Sequence, residues 1–235
     1  MSLFPVTRHS VLDDLRGTDP ARRRAARETL ALAYLRPVQT YIAVRWRRSS
    51  EEARDLAQEF FRTVVERELL EAYDARRARL RTYLRLCVDA LVRNATVAEH
   101  REKRGGGAAA VPLDTVVDGI DLEGDPAPDA LFEREWRRSI FSLALERTHA
   151  QLLSTGRGEH WAVLEGFDLG RLDGGRPSYA DLAGRLGLSV TDVTNRLSYA
   201  RRILRQRTLE VLRELTLDDA DFRAEARTLL GVDVR

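Results

Sequence analysis

Lysine is almost missing from this 235-residue chain: Lys103 is the only one among 39 basic side chains, so nearly all of the positive charge is arginine. Arginine has the better geometry for bidentate contacts to phosphate and guanine, although genomic base composition yields the same bias, so the excess permits nucleic-acid contact without demanding it. The single cysteine, Cys87, excludes an internal disulfide, and its place in an apolar helical pattern points to a core thiol. Histidines stand at 9, 100, 149 and 160 with no ligand spacing, which leaves no basis for a metal centre. No apolar run approaches membrane-spanning length, and Met1-Ser2-Leu3-Phe4-Pro5 is not a basic head followed by an apolar stretch. A cytoplasmic protein without a membrane partner is therefore expected. Nucleophile motifs and paired carboxylates with a basis for perturbed pKa are also missing, so neither catalytic residues nor a cofactor is expected, and the chain does not read as an enzyme. The glycine triplet Gly105-Gly106-Gly107 lacks the lysine and threonine of a phosphate-binding loop and follows a helical pattern, not a strand.

Sustained period-two alternation of β-branched residues is absent as well, whereas helical spacing recurs throughout, and the expected fold is all-α. One helix is expected from Pro20 through Leu30 and Leu35, broken or kinked at Pro37 and resuming toward Trp46. Ser49 and Glu52 form a capping box for a helix through Leu56, Phe60 and Val64 toward Leu69. A loop from Leu70 to Ala78 precedes a long helix from Leu80 to Arg104. This helix stacks Leu84, Val88, Leu91, Val92 and Ala95 on one side and sets Arg81, Arg85, Arg93, Arg101 and Arg104 elsewhere. Residues 105–130 carry glycine, alanine and proline with six acidic and no basic side chains, the composition of an extended linker. From Asp129 a helix with Leu131, Phe132, Trp136, Ile140, Phe141 and Leu145 opens a second domain.

A net charge of +2 conceals strong segregation. Residues 1–104 come to +7, 105–130 to −6, 131–175 to −1, 176–209 to +5 and 210–235 to −3. Two basic blocks separated by an acidic connector suggest two polyanion-facing modules. The expected organisation is a helical domain over 1–104, an acidic flexible linker over 105–130, a second helical domain over 131–209 and a C-terminal amphipathic tail over 210–235.

The second basic block holds the most telling pattern. Ser178-Tyr179-Ala180-Asp181 and Ser189-Val190-Thr191-Asp192 both read S-x-x-D, eleven residues apart and joined by Gly187-Leu188. Each serine can cap a helix start while the aspartate meets the positive helix end. One short helix and a tight turn fit between the two starts, which is the outline of a helix-turn-helix. Tyr179, Leu182, Ala183 and Leu186 supply the apolar face of the first helix, and Val190, Val193, Leu197, Ala200 and Leu204 that of the second. The remaining face carries Thr191, Asp192, Thr194, Asn195, Arg196, Ser198, Tyr199, Arg201, Arg202 and Arg205, which can donate to phosphates and read base edges. A packed helical hairpin with a solvated basic face is the plainer alternative.

In the first block, Glu52-Ala53-Arg54-Asp55-Leu56-Ala57-Gln58-Glu59-Phe60-Phe61, then a basic loop, then Leu80-Arg81-Thr82-Tyr83-Leu84, resembles region two of bacterial RNA polymerase sigma factors of the extracytoplasmic-function class. That class typically reads A-E-D-L-x-Q-E-x-F followed by L-R-x-W-L. Together with Tyr179-Ala180-Asp181-Leu182-Ala183 and Arg196-Leu197 the resemblance covers nearly the whole chain, and Phe4-Pro5-Val6-Thr7-Arg8 is similar to the start of one branch of the class. The resemblance implies a sigma factor that binds core RNA polymerase and promoter DNA and directs initiation. It leaves open an anti-sigma or other regulator and requires no cofactor. Asp55, Gln58 and Glu59 would face the polymerase clamp helices. Tyr73, Asp74, Arg76, Arg77, Arg81, Tyr83, Arg85 and Arg93 would meet the proximal promoter element. Tyr83 stands where the class has tryptophan, and a core role competes there with base stacking. The acidic linker would thread toward the polymerase active site. Ser189, Thr191, Asp192, Thr194, Asn195, Ser198, Tyr199 and Arg202 would meet the distal element, although the chain departs from the class here, a basic residue being common at the place of Thr194 and a basic or bulky one at that of Tyr199.

The rival reading is a polymerase-independent helix-turn-helix regulator whose first domain dimerises or senses a ligand. Such a dimer needs an apolar self-complementary surface to hold two recognition helices at half-site spacing, which the polar Asp55-Gln58-Glu59 face argues against.

Overall fold

The computed structural model describes residues 10–66, 70, 73–74, 77–102, 126–170 and 177–231, and these form helices and turns with no strand among them. Two compact units result, one of Met1–Ser139 with Leu212–Arg235 and one of Ile140–Val211. This division differs from the one expected from sequence: residues 126–139 and the tail from 212 onward group with the first unit.

In the first unit, α1 (Val11–Arg16) opens on a capping box in which the Asp13 amide donates to Ser10 Oγ at 3.2 Å and the Ser10 amide donates to the Asp13 carboxylate at 3.1 Å. Asp19 caps α2 (Pro20–Arg45), whose first residue is the expected proline. The break at Pro37 does not occur; α2 runs through it. Leu30, Ala33 and Tyr34 before the proline and Val38, Tyr41 and Ile42 after it are all buried on one continuous stripe. Burying several such side chains, at about 1.5–3 kcal/mol each, outweighs an interior proline penalty of about 3 kcal/mol.

Helix α3 (Ser50–Glu66) starts at the expected box, with the Glu52 amide donating to Ser49 Oγ at 3.2 Å and the Ser49 amide to Glu52 at 2.8 Å. Its buried positions Ala53, Ala57, Phe60 and Val64 recur at helical spacing and turn one face inward. Helix α4 (Leu80–Glu102) buries Leu84, Val88, Leu91 and Val92 as expected. Asp89 on α4 is a polar hub: its carboxylate accepts from the Tyr41 hydroxyl at 3.0 Å, the Trp46 indole at 2.9 Å and Arg85 at 3.0 Å. Burial pushes the Cys87 thiol on the same helix up to about 12, consistent with a core thiol.

Helix α5 (Pro126–Ser154) begins three residues before the expected Asp129, and its first turns belong with α2 and α4. Phe132 meets Tyr41 edge-on at 5.6 Å and stacks beside Tyr34 at 6.5 Å. Two aromatic anchors of this size explain why the segment folds with the first unit.

The second unit contains the rest of α5, then α6 (Gly158–Leu164), a π-helical turn (Glu165–Leu169), α7 (Tyr179–Leu186) and the body of α8 (Val190–Glu214). Leu152, Val163, Leu164, Leu182, Val193, Leu197 and Ala200 form its core. The chain ends in α9 (Asp219–Leu230), capped by Asp218 and stopped by Gly231 in the left-handed region, and α9 lies in the first unit.

Candidate nucleic-acid interface

The tandem capping boxes form as the sequence implies. Asp181 donates its amide to Ser178 Oγ at 3.1 Å and returns a carboxylate contact to the Ser178 amide at 3.0 Å, opening α7. Gly187 ends α7 at φ 65°, a conformation in which glycine avoids the Cβ penalty, and its amide donates to the Ala183 carbonyl. The Leu188 amide donates to the same carbonyl at 3.0 Å, and the second box closes at once, the Asp192 amide donating to Ser189 Oγ at 3.0 Å. Hydrogen bonds from the serines hold Asp181 and Asp192 below the usual carboxylate range. A sharp, doubly capped corner therefore delivers α8 at a fixed angle to α7 within this unit.

The buried stripe is narrower than expected. Leu182, Ala183, Val193, Leu197 and Ala200 are inside, joined by Ile203, while Tyr179, Leu186 and Val190 are exposed, Val190 at 48%. These three lie at the helix starts and the turn, where the corner itself faces solvent. Tyr179 recovers cover by stacking on Phe167 at 4.6 Å.

Along the outer face of α8, Thr191, Asn195, Ser198 and Arg202 follow one another at helical spacing and are exposed, with Thr194 and Arg205 beside them. Eleven helical steps of about 1.5 Å from Thr191 to Arg202 make this stripe about 16 Å long, comparable to the reach of a recognition helix in a major groove. Ser189 and Asp192 commit their side chains to the cap, and the Thr194 hydroxyl donates back to the Val190 carbonyl at 3.0 Å. Tyr199 is half-buried, clamped between the guanidinium groups of Arg157 and Arg202 at 5.1 and 4.9 Å, with His160 edge-on at 5.0 Å. Burial, then Arg196 and Arg157, lower the pKa of His160, so its imidazole is neutral at pH 7.

Two arginines are diverted from this face. Arg201 makes a bidentate pair with Asp168 at 2.7 and 2.8 Å, and Arg196 pairs with Glu159 at 2.9 Å. Sequence reasoning missed Asp168 as a partner because it lies 33 residues away. It also missed Gly166, which lets the π-helical turn approach α7: a Cβ there would stand 2.8 Å from Leu182 Cδ1. A lone glycine in an apolar segment carries no local signal for that approach.

In the first unit, Asp55, Gln58 and Glu59 are exposed and share the outward face of α3, opposite Ala57 and Phe60. Glu59 is ion-paired with Arg62 on the next turn. Among the residues tied to the proximal element, Asp74, Arg77 and Arg93 are exposed and Arg76 lies outside the described residues.

The expected outward placement of Arg81 and Arg85 is not what the structure shows. Arg81 is 5% exposed, paired with Glu225 of α9 and with Glu133 of α5 at 3.1 Å, its guanidinium over the Trp136 ring at 4.7 Å. Arg85, equally buried, is held by Asp89 and Asp129. Their partners lie 144 and 44 residues away, beyond the reach of any local pattern. Tyr73 and Tyr83 are buried against each other with ring centroids 5.4 Å apart, which gives Tyr83 the core position. The linker residues 105–125 and the segment Phe4 to Arg8 lie outside the described residues.

Among the described residues no cluster of histidine, cysteine, aspartate and glutamate could hold a metal ion, and no helix is long and apolar enough to cross a membrane. A family profile described as ECF sigma factor matches residues 25–210, most of the chain. Neither the curated proteins nor the solved structures give a match.

Proposed function

Because the chain belongs to the ECF sigma factor family, a family of non-enzymatic initiation factors that bind core RNA polymerase, promoter DNA and anti-sigma factors, we propose a division of labour between its two units. The first unit binds core polymerase through Asp55, Gln58 and Glu59 and meets the proximal promoter element through Asp74, Arg76, Arg77 and Arg93. The second reads the distal element with Thr191, Thr194, Asn195 and Ser198, while Arg202 and Arg205 hold phosphates.

The observation that carries this reading is the pairing of two features within one matched span. A solvent-facing polar stripe on α3 can pair with arginines of a partner, and a doubly capped corner presents the exposed face of α8. Tyr199, half-buried beside Arg157 and Arg202, serves to fix Arg202. The residues 105–125 with their five carboxylates act inside the polymerase channel, where a chain of negative charge mimics nucleic acid.

The test is a titration of fluorescently labelled full-length protein with core polymerase. Asp55→Arg combined with Gln58→Ala should weaken binding at least tenfold with the fold intact, since exposed helix-face changes usually cost under about 0.5 kcal/mol of stability. Undiminished affinity of the double variant would remove α3 from the polymerase contact.

A further inference from the structure

We propose that α9 is a built-in occupant of the promoter-facing surface of the first unit: its carboxylates hold Arg79 and Arg81 until a nucleic-acid strand displaces them. This rests on the proposed role of the loop before α4 in meeting the proximal element, and extends that surface to Arg79 and, once α9 is displaced, to Arg81.

Within the first unit Glu225 reaches two arginines at once. It pairs with Arg81 and stands 3.7 Å from Arg79 Nε, and it is itself only 3% exposed. Glu133 takes the other edge of Arg81 at 3.1 to 3.2 Å, so each of the three guanidinium nitrogens donates to a carboxylate. Asp221, half-buried on the same helix, has its pKa raised by burial and then by Glu225 and Asp218. Tyr73 lies beneath this group, its hydroxyl pushed up by burial and then by Asp221, Asp218 and Glu225. An acidic helix thus lies over the buried Tyr73 and Arg81 and reaches the exposed Arg79 beside them.

The energetics favour exchange over permanence. Only Phe222 and Ala226 give α9 a substantial apolar anchor, and a twelve-residue helix is marginal without tertiary support. Buried ion pairs add little net stability, because desolvation offsets their attraction. A phosphate presents oxygens to arginine much as a carboxylate does, so a strand can take over the same donors. Displacing α9 then asks for a population shift that polymerase and DNA together can supply.

The experiment uses the full chain in holoenzyme with core polymerase and a labelled promoter duplex melted across the proximal element. Asp218→Asn, Asp221→Asn and Glu225→Gln are combined; each preserves shape, and asparagine still caps a helix. A control carries the same charge change at the exposed Glu28, Glu146 and Glu165, all to glutamine. The α9 variant should bind the melted promoter about five- to tenfold more tightly than wild type, as expected when a closed fraction is released, and the control less than twofold. Equal shifts in the two would overturn the proposal, because net charge alone would explain them. In wild-type holoenzyme, hydrogen exchange should show α9 amides losing protection when the promoter is added. An α9 that stays protected in a transcribing complex is a fixed part of the fold, and the proposal fails. Loss of holoenzyme formation by wild type would refute the sigma reading and this proposal together. Normal holoenzyme with unmoved promoter affinity would refute this proposal alone.

Discussion

Replacing Asp89 with alanine removes the polar centre of the first unit. The carboxylate accepts from Tyr41 at 3.0 Å, Trp46 at 2.9 Å and Arg85 at 3.0 Å. Arg85 keeps Asp129 as a second partner, so its charge is not stranded; the Tyr41 hydroxyl and the Trp46 indole lose their acceptor. Hydrogen bonds to a charged group contribute about 1.5–3 kcal/mol each, which puts the loss of the two at about 3–6 kcal/mol. Asp89→Asn keeps one acceptor oxygen and should cost about half as much, and Tyr41→Phe about 1–2 kcal/mol. The lone cysteine supplies the assay. Cys87 is fully buried and its thiol is pushed up to about 12, so a disulfide-exchange reagent reaches it when the unit opens. At about 1.36 kcal/mol per decade, Asp89→Ala should speed labelling roughly 150- to 25,000-fold. An acceleration below tenfold, or an asparagine variant as fast as the alanine one, would refute the hub.

Gly166→Ala places a methyl 2.8 Å from Leu182 Cδ1 and should destabilise the second unit by about 1–3 kcal/mol, read from Trp161 fluorescence during urea unfolding; unchanged stability would mean that Leu182 swings aside freely. Asn195→Ala should cost about 1–3 kcal/mol at one promoter position and relax preference there, and binding selections that show a uniform loss across sequences would contradict the proposed docking of α8. Arg202→Ala should weaken all sequences alike and reduce the salt slope by about one, as the proposed phosphate contact requires. Serine at Asp114, Asp118, Asp121, Glu123 and Asp125 should leave holoenzyme assembly intact but change the ratio of abortive to full-length transcripts; identical product patterns would make the segment a passive tether.

What the sequence disclosed was what short-range chemistry decides. The boxes at Ser49, Ser178 and Ser189 and the glycine stop at 187 are local hydrogen-bond arrangements, readable over four or five residues, and they set where α3, α7 and α8 begin and end. The helical spacing of Ala53, Ala57, Phe60 and Val64 placed Asp55, Gln58 and Glu59 outside for the same reason. Pro37 does not show its tolerance in the sequence because burial on both sides of it, which holds α2 together, is a tertiary property. Arg81 and Arg85 were placed outside because arginine is almost never buried unless paired, and their partners Glu225, Glu133 and Asp129 lie far along the chain. The tail looked like an appendage for the same reason: Glu225 gives no hint in sequence that its carboxylate meets α4.

Run-off transcription tests the central claim most directly. Core polymerase with this protein, on a template carrying a promoter selected by the holoenzyme, should yield one discrete transcript that core alone does not make, and that transcript should vanish with Asp55→Arg combined with Gln58→Ala. A protein that binds the same DNA without polymerase and yields no transcript with it would contradict the account.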